Sequence, residues 1–308
     1  MSDPASPQIA AQEPLVSVVI ATYNMALYLP LAVRSALEQT YKNIEVLIVD
    51  DGSTDDTRSA VAPLLLDPRV RYLVQENRGQ AAAKNHGVRD SSGAYVAFLD
   101  ADDLWAPEKL ALQLPLFARS QELGIVHSRL AYIDETGRQL GVADNELFRG
   151  RVTGPLLIQN FIGFGTSVVR RECFQRMGNF KENIRMGIDY DLWLRFSTQY
   201  EFDYVDRPLL YYRTWSGQMS SNCQGRYRSG IDIMNNFLRE FPAAVDKATQ
   251  STAWAHTYVG FGQCLLQSEK STASALRLYM RALRYKPSYG PAWRAIAKLA
   301  LRIRRQAS

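Results

Sequence analysis

This sequence of 308 residues lacks long apolar runs, a secretory signal and closely spaced cysteines. No segment has the roughly 18 consecutive apolar residues of a membrane-spanning helix, and residues 1–14 lack a basic stretch followed by an apolar one. The three cysteines, Cys173, Cys223 and Cys264, are far apart, odd in number and without zinc-site spacing. We therefore expect no disulfide framework, no structural zinc, a reducing compartment and a cytoplasmic location.

Two common phosphate-binding motifs are also absent. No Gly-x-Gly-x-x-Gly sequence follows a predicted strand, and no P-loop sequence ending in Gly-Lys-Ser/Thr occurs. Nicotinamide-dependent dehydrogenases and P-loop ATPases are therefore disfavoured. The composition, with 46% hydrophobic and 22% charged residues, is that of a globular protein and excludes disordered, collagen-like and heptad-repeat chains.

Acidic residues are missing from one end of the chain. Residues 271–308 contain nine Lys or Arg residues and no Asp or Glu, although the formal net charge is only +5. This asymmetry favours an anionic partner near the carboxyl end. Because nucleic-acid-binding proteins usually spread positive charge over a recognition face, we expect a membrane surface and no nucleic acid.

Hydrophobic periodicity predicts an α/β fold. Short β-rich runs alternate with helical stretches as far as residue 121, which indicates a mostly parallel sheet with helices on both faces. A mixed extension of the sheet follows, and helical periodicity dominates from about residue 229. We predict a disordered leader over residues 1–14, an α/β domain over 15–225 and a helical appendage over 226–308. The predicted strands are 15–21, 44–49, 70–74 and 95–99, and the predicted helices between them are 29–38, 55–65, 80–88 and 108–121.

Polar side chains crowd the predicted carboxyl ends of these strands, where open α/β sheets bind their ligands. Any one of the loops is also explained by helix caps and turns, which favour Asp, Asn and Gly. Caps do not require separate acidic clusters to converge, so we interpret the set as a ligand site. The loops are Thr22-Tyr23-Asn24, Asp50-Asp51-Gly52-Ser53, Glu76-Asn77-Arg78-Gly79 and Asp100-Ala101-Asp102-Asp103.

Asp100 and Asp102 follow an apolar strand directly. Their carboxylates suit Mg²⁺ or Mn²⁺, which complete their coordination with water and substrate phosphate. An isolated Asp-x-Asp sequence is common, and its place at a strand end is what gives it weight. Gly79 precedes a helix that contains Lys84, so a helix amino terminus and a cation are expected to face an anionic group. The alternative for Lys84 is a solvated side of that helix.

Five ordered segments resemble glycosyltransferase family 2, the inverting sugar-nucleotide transferases with the GT-A fold: VSVVIATYN, VLIVDDGSTDDT, NRGQAAAKNHG, AYVAFLDADD and GIDYDLWLR. The resemblance extends from about Leu15 to Ser221 and implies a GT-A domain over residues 15–225. It implies that Asp51 reads the base of the donor nucleotide, that Asp100 and Asp102 hold the metal, and that Asp189 is the catalytic base. The expected donor-binding residues are Thr22, Tyr23, Asn24, Asp51, Gly79, Lys84 and Asp100.

Asp189 and Asp191 precede an apolar helical run, and their spacing places them on different sides of the helix. We expect Asp189 to face the cleft and Asp191 to cap or orient; the alternative is that Asp189 only caps the helix. Trp193 and Trp215 are candidate platforms for a sugar ring or a lipid, although burial is the commoner fate for Trp193. Two residues depart from the family pattern: Ile188 replaces an acidic residue, and Trp215 replaces a common His.

These features predict a metal-dependent, inverting transfer of sugar from a UDP- or dTDP-linked donor to a glycan or lipid-linked acceptor, in cell-surface polysaccharide assembly. A carboxylate takes the proton of the acceptor hydroxyl, and a cation compensates the departing diphosphate. A sugar nucleotidyltransferase is disfavoured, because its Gly-x-Gly-x-Arg loop is absent. The non-enzyme alternative is an inactive nucleotide-sugar-binding adaptor that acts through the helical appendage.

Basic and apolar residues alternate at helical spacing in the tail. This pattern is typical of an amphipathic helix that lies on anionic lipid at the inner face of the membrane. The alternative is that the apolar side packs on the preceding helical hairpin. The basic residues are Arg294, Lys298, Arg302 and Arg305, and the apolar ones are Trp293, Ile296, Ala297, Ala300 and Ile303.

Overall fold

The structure, a computed structural model, describes residues 13–269 and 271–307, without the side chains of Ser220 and of residues 302–307. Residues 1–12 of the predicted leader lie outside the described residues. The strands are β1 (Val16–Thr22), β2 (Ile44–Asp50), β3 (Val70–Val74), β4 (Tyr95–Phe98), β5 (Leu104–Trp105), β6 (Leu123–Ile133), β7 (Gln139–Val142), β8 (Val168–Arg170) and β9 (Glu201–Arg213). The helices are α1 (Leu29–Leu37), α2 (Thr57–Val61), α3 (Gln80–Asp90), α4 (Lys109–Gln113), α5 (Thr153–Ile158), α6 (Arg171–Met177), α7 (Ile188–Ser197), α8 (Cys223–Glu240), α9 (Lys247–Ser268), α10 (Thr272–Tyr285) and α11 (Gly290–Ala307).

The described strands form one mixed sheet in the order β3-β2-β1-β4-β8-β6-β9-β5, with β7 paired to β6. β1 pairs in parallel with β2 and β4, and β2 with β3, so the carboxyl ends of these four strands share one edge. β8 runs antiparallel between β4 and β6. The predicted α/β class with a parallel half and a mixed extension is confirmed, because β1 and β2 are buried along nearly their whole length.

Proline changes two of the predicted helices. The helices predicted over 55–65 and 108–121 end early, and each continues as a 3-10 segment, Ala62–Leu66 and Leu114–Arg119. Pro63 and Pro115 stand at the start of these segments and have no N–H for an α-helical hydrogen bond. The short elements β5, β7 and α5 were not predicted, since each is too short to show periodicity.

The carboxyl-terminal helices share a hydrophobic core with the sheet. One cluster of buried side chains joins Val19 of β1 and Phe98 of β4 to Trp193 of α7, and continues to Ala253 of α9 and Tyr279 of α10. The predicted division at residue 225 stays a prediction. Within the described ranges, no helix combines the length and apolar character needed to cross a bilayer.

Cys223 and Cys264 form a disulfide, with their Cα atoms 6.1 Å apart, while Cys173 is free and buried. The expectation of no disulfide is therefore wrong. Cys223 opens α8 and Cys264 lies in the last turns of α9, so the antiparallel packing of these helices joins residues 41 positions apart. The number and spacing of the cysteines therefore no longer support a reducing compartment, and the cytoplasmic location stays a prediction.

We expect Gly87→Ala to destabilise the protein. Helix α3 lies so close to β1 that an added Cβ at Gly87 would come within 2.4 Å of Val19 Cγ1. Overpacking of this kind costs about 1–3 kcal/mol, which exceeds the helix propensity gained from alanine. Urea denaturation measures the change.

The matched control is Gly230→Ala, in the interior of α8. No atom lies within 4 Å of an added Cβ there, so this substitution is expected to be neutral or to stabilise by up to about 1 kcal/mol. Equal effects at the two glycines would contradict the close contact between α3 and β1.

Candidate active site

A cleft of about 1220 Å³ opens along the carboxyl ends of the parallel strands and continues to α8 and α9. We name its parts by their lining. The sheet end is lined by Thr22, Tyr23, Asp51 and Gly79. The centre is lined by Lys84, Asp100, Asp102, Asn160 and Asp189. The helix end is lined by Ile158, Met186, Arg226, Tyr227 and His256.

Asp51 organises the loop between β3 and α3. Its Oδ2 accepts a hydrogen bond from the Gly79 backbone at 2.7 Å, and its Oδ1 accepts from the Arg78 backbone at 2.9 Å and from Gln75 Nε2 at 2.8 Å. Gly79 adopts a φ of +90°, which favours glycine, directly before α3 begins. The carboxylate thus fixes the sheet end, and its reading of a nucleobase stays a prediction.

Asn24 joins the loops that follow β1 and β2 and is not among the residues that line the cleft. Its Oδ1 accepts a hydrogen bond from the Thr54 backbone at 2.8 Å, and its own N–H donates to Ser53 Oγ at 2.9 Å. Its φ of 53° is a left-handed conformation that Asn tolerates well. Asn24 therefore holds these two loops together, and its contact with the donor stays a prediction.

Lys84 is buried and paired, so the alternative of a solvated helix side is wrong. Its ammonium lies 3.0 Å from Asp100 Oδ1 and 4.0 Å from the centre of the Phe164 ring. Only 4% of the side chain is exposed, because the small residues around it in α3 let the helix approach the sheet closely. A fixed positive charge therefore stands in the centre of the cleft.

Three carboxylates follow β4. Burial raises the pKa of Asp102, as does the charge of Asp100, whereas the Trp215 indole, whose Nε1 donates to Asp102 Oδ2 at 2.8 Å, lowers it. Burial, followed by the charges of Asp102 and Asp100, also raises the pKa of Asp103. Asp103 Oδ1 accepts from the Arg213 backbone, while its Oδ2 has no hydrogen-bond partner within the described part of the chain. This concentration of negative charge favours a cation.

Asp100 and Asp102 fit a divalent cation that shares its coordination with substrate. Across the described residues, no three His, Cys, Asp or Glu side chains come together as a potential metal-binding group. Mg²⁺ typically takes one or two carboxylates and fills its remaining positions with water and phosphate oxygens. The two carboxylates beside an open cleft match that requirement.

Asp189 reaches the centre of the cleft from the first turn of α7. The helix is capped by Gly187 at φ +74°, so Asp189 is not the capping residue. Its Oδ2 accepts a hydrogen bond from Asn160 Nδ2 at 2.9 Å. Burial raises the pKa of Asp189, and the Asn160 hydrogen bond and the charge of Lys84 partly oppose this rise. A carboxylate with a raised pKa is a stronger base.

Asp191 and Trp193 point away from the cleft. Asp191 is buried in ion pairs with Arg195 at 2.9 Å and Lys181 at 3.2 Å. Trp193 is fully buried and packs against the Phe164 ring, so the expectation that it offers a platform to a sugar is wrong. Residues two apart on a helix diverge, which is why Asp189 lines the cleft and Asp191 does not.

Trp215 contacts the site through Asp102 and is not among the cleft-lining residues. Its backbone N–H donates to Gln218 Oε1 at 3.3 Å, and its ring lies 6.0 Å from the Tyr28 ring. Ile188 is buried in the main core, so the position before Asp189 supports packing. The two departures from the family pattern thus have defined roles in the structure. Trp215 donates its indole N–H to Asp102, and Ile188 packs in the core next to Asp189 in the sequence.

Several residues of the site carry no recognisable sequence signal. Asn160 lies in a loop after α5 that carries no recognised motif. Arg226 and His256 lie on helices more than 30 residues from the nearest motif. Only the fold brings them to the cleft.

Residues 17–178 match the family model described as Glycosyl transferase family 2. The chain belongs to this family. It is 35% identical over 226 residues to an uncharacterized glycosyltransferase of Rickettsia conorii, in an alignment that covers 72% of this chain and 37% of that protein. It is 33% identical over 211 residues to chondroitin synthase of Escherichia coli, covering 68% of this chain and 30% of the synthase. The chain thus spans about a third of the length of these relatives.

Two solved structures share the fold. S. aureus TarS 1-349 in complex with UDP-GlcNAc has a TM-score of 0.67 at 16% identity, covering 88% of this chain and 81% of that one. A mannosyltransferase from Pyrobaculum calidifontis in complex with GDP-Man and Mn²⁺ has a TM-score of 0.60 at 21% identity, covering 94% and 86%. The predicted GT-A fold with carboxyl-terminal helices is confirmed.

We expect Asp189→Asn to stabilise the protein at neutral and higher pH. The raised pKa of Asp189 means that its ionised form is less favourable in the folded than in the unfolded chain. The penalty is absent below the unfolded pKa of about 4 and grows as the pH rises through the folded pKa. The melting-temperature difference from wild type, measured between pH 4.5 and 8, should therefore increase with pH.

The control is Asp191→Asn two residues away, which breaks the buried ion pair with Arg195. It should cost about 3–5 kcal/mol. A drop in melting temperature for Asp189→Asn at pH 8 would show that the Asp189 carboxylate stabilises the fold, against the direction inferred from its burial.

Proposed function

We propose that the protein is an inverting glycosyltransferase that moves a sugar from a nucleotide-diphosphate sugar to a hydroxyl of a glycan or lipid-linked acceptor. The observation that carries the proposal is the convergence of Asp100, Asp102 and Asp189 on one cleft, from segments almost 90 residues apart. Membership of glycosyltransferase family 2 supports it. Helix caps alone would not bring these carboxylates together.

The donor is proposed to occupy the sheet end and the centre of the cleft. Thr22, Tyr23 and Asp51 surround the nucleotide, and Gly79 presents the amino end of α3 toward its phosphates. Lys84 adds a positive charge beside the same phosphates. A UDP- or dTDP-linked donor is favoured by the implied role of Asp51, and the UDP-GlcNAc complex of the structurally similar TarS supports this choice.

Asp100 and Asp102 are proposed to hold Mg²⁺ or Mn²⁺. When bound, the cation supplies positive charge for the departing diphosphate. The Trp215 indole lowers the pKa of Asp102 and so keeps a buried carboxylate available as a ligand. Lys84 holds Asp100 in place and contributes a second positive charge near the leaving group.

Asp189 is proposed as the base that takes the proton of the acceptor hydroxyl. Asn160 orients its carboxylate through a hydrogen bond to Oδ2. The acceptor oxygen then attacks the anomeric carbon opposite the leaving diphosphate, and the single displacement inverts the configuration. The likeness to chondroitin synthase favours an acceptor within a growing polysaccharide.

The outward face of α10 and α11 is proposed to contact an anionic bilayer. Ile296 packs against the core, as the alternative for the tail required, while Met280 and Trp293 are 50% and 55% exposed. Exposed cations accompany them, which is the pattern of helices that lie on anionic lipid. These are Arg277, Arg281, Arg284, Arg294 and Lys298. The side chains of Arg302, Ile303 and Arg305 lie outside the described residues.

Asp102→Asn tests the enzyme. Wild type is expected to show a melting-temperature increase with one class of UDP-, dTDP- or GDP-linked sugar in the presence of Mn²⁺, equivalent to about 2.7 kcal/mol at a donor concentration of 100 Kd. The substitution removes a metal ligand, so it should abolish the metal-dependent shift and lower donor turnover by about 100-fold or more.

The matched control is Asp206→Asn, an exposed carboxylate on β9 outside the cleft, which should behave as wild type. An adaptor would show a donor-induced shift with no turnover in any variant. A donor shift that is independent of both Mn²⁺ and Asp102 would contradict the metal site.

The double substitution Arg294→Ala and Lys298→Ala tests the membrane contact. Each basic residue near an anionic surface contributes about 1 kcal/mol, so the affinity for vesicles that contain phosphatidylserine should fall about 30-fold. Co-sedimentation with these vesicles, and with neutral phosphatidylcholine vesicles, measures it. The matched control is Arg34→Ala with Arg58→Ala, on α1 and α2. An equal loss of vesicle affinity in this control would show that binding depends on the net charge of the protein and not on the proposed face.

A further inference from the structure

The helix end of the cleft is a second, chemically distinct half of the site. It continues from Asp189 past Ile158 and Met186 to the facing sides of α8 and α9, where Arg226, Tyr227 and His256 line it. The donor-binding roles proposed above leave this half unused. Because the donor is proposed to occupy the sheet end and the centre, the helix end is the part of the cleft that remains for an acceptor.

Arg226 gives this half its charge. The cleft lining contains two cations, Lys84 and Arg226. Lys84 pairs with Asp100, whereas Arg226 is exposed and forms no salt bridge with any described residue. Among the described residues no carboxylate lines the helix end, while Asp51 lines the sheet end and Asp100, Asp102 and Asp189 line the centre. The two halves of the cleft therefore have opposite electrostatic character.

The neighbours of Arg226 suit a sugar ring. Ile158, Met186 and Met234 present apolar surface, and Tyr227 presents an aromatic side chain that is only partly buried. Burial lowers the pKa of His256, whose Nδ1 lies 3.2 Å from the Tyr289 hydroxyl, so its imidazole is neutral near pH 7. Apolar and aromatic surface with few polar groups matches the C–H faces of saccharides.

The backbone of α8 around Arg226 is held in place by its neighbours. The Cys223–Cys264 disulfide ties the first turn of α8 to α9. Tyr227 stacks on Phe261 with ring centres 5.5 Å apart, and Gly260 leaves room for its hydroxyl. The helix thus fixes where the Arg226 side chain starts, and the planar fork of a guanidinium matches carboxylate and phosphate oxygens.

Helix α8 is also tied to the proposed base. Ser229 Oγ donates a hydrogen bond to the Met186 carbonyl at 2.7 Å, and Met186 lies three residues before Asp189. Gly187, between them, packs against Ile233 of α8. These contacts hold an acceptor bound by α8 at a fixed position relative to the Asp189 carboxylate, the proposed base.

We propose that the helix end binds an acceptor saccharide that carries a negative charge, a carboxylate or a phosphate, and that Arg226 recognises this charge. The proposal rests on the proposed glycosyltransferase function and adds the class of acceptor. Arg226 acts as a specificity-determining residue, because it contacts the acceptor away from the reacting hydroxyl. A neutral acceptor would leave the Arg226 guanidinium in the cleft without an anionic partner.

The test compares three probes that share the ring and the aglycone and differ in the group at C6: p-nitrophenyl β-glucuronide, p-nitrophenyl β-glucoside 6-phosphate and neutral p-nitrophenyl β-glucoside. Their dissociation constants are measured on the full chain by ligand-observed NMR at low and high salt. The anionic probe that matches the natural acceptor should bind about 10- to 100-fold more tightly than the glucoside, with a preference that weakens in salt. The better of the two anionic probes identifies carboxylate or phosphate as the recognised group.

Arg226→Met should reduce the anionic probe to the affinity of the glucoside, and Arg226→Lys should retain part of the preference. Arg228→Met is the matched control, since Arg228 is an exposed arginine on the same helix outside the cleft lining. Equal affinity of wild type for charged and neutral probes, or an equal loss in Arg228→Met, would overturn the proposal.

The donor-induced thermal shift is measured on the same samples and separates the two proposals. A donor shift without anion preference overturns only the acceptor class. An anion preference that depends on Arg226, without any donor shift or turnover, supports the anion site and contradicts the glycosyltransferase function.

Discussion

The concentration of negative charge at the end of β4 is the constraint on which the site depends. Asp100, Asp102 and Asp103 are crowded at the edge of a buried strand, and burial raises the pKa of the last two. The fold offsets this with Lys84 on Asp100 and the Trp215 indole on Asp102. Neither partner neutralises the whole cluster, so the end of β4 keeps a net negative charge in the folded protein.

Arg213 links the acidic residues after β4 to other parts of the sheet by hydrogen bonds. Its backbone N–H holds Asp103, its Nε donates to the Asp102 carbonyl at 2.8 Å, and its Nη1 donates to the carbonyls of Asp134 and Glu135. The guanidinium also lies 4.7 Å from the centre of the Tyr28 ring. One buried arginine thus joins the acidic loop, the end of β6 and the segment after β1, because a guanidinium has enough donors to satisfy several loops at once.

The residues at the ends of the parallel strands, with Lys84 and Asp189, could be predicted from the sequence, whereas Asn160 and the residues on α8 and α9 could not. Thr22, Asp51 and Asp100 follow buried apolar strands, and strand order alone places them at one edge. Asn160 and Arg226 reach the cleft through packing between distant helices, which leaves no local signal. The Cys223–Cys264 bond escaped for the same reason: spacing along the chain says little about which helices pack together.

The shared core explains why the carboxyl-terminal helices belong to the catalytic proposal. Ile188, beside the proposed base, is buried in the same cluster as Ile233 of α8 and Tyr258 of α9. An acidic residue at position 188 would be buried among these apolar side chains at the cost of an unpaired charge. The apolar residue at this position therefore suits the shared core of α7, α8 and α9, and the same packing of α8 against α7 accompanies the presence of Arg226 in the cleft lining.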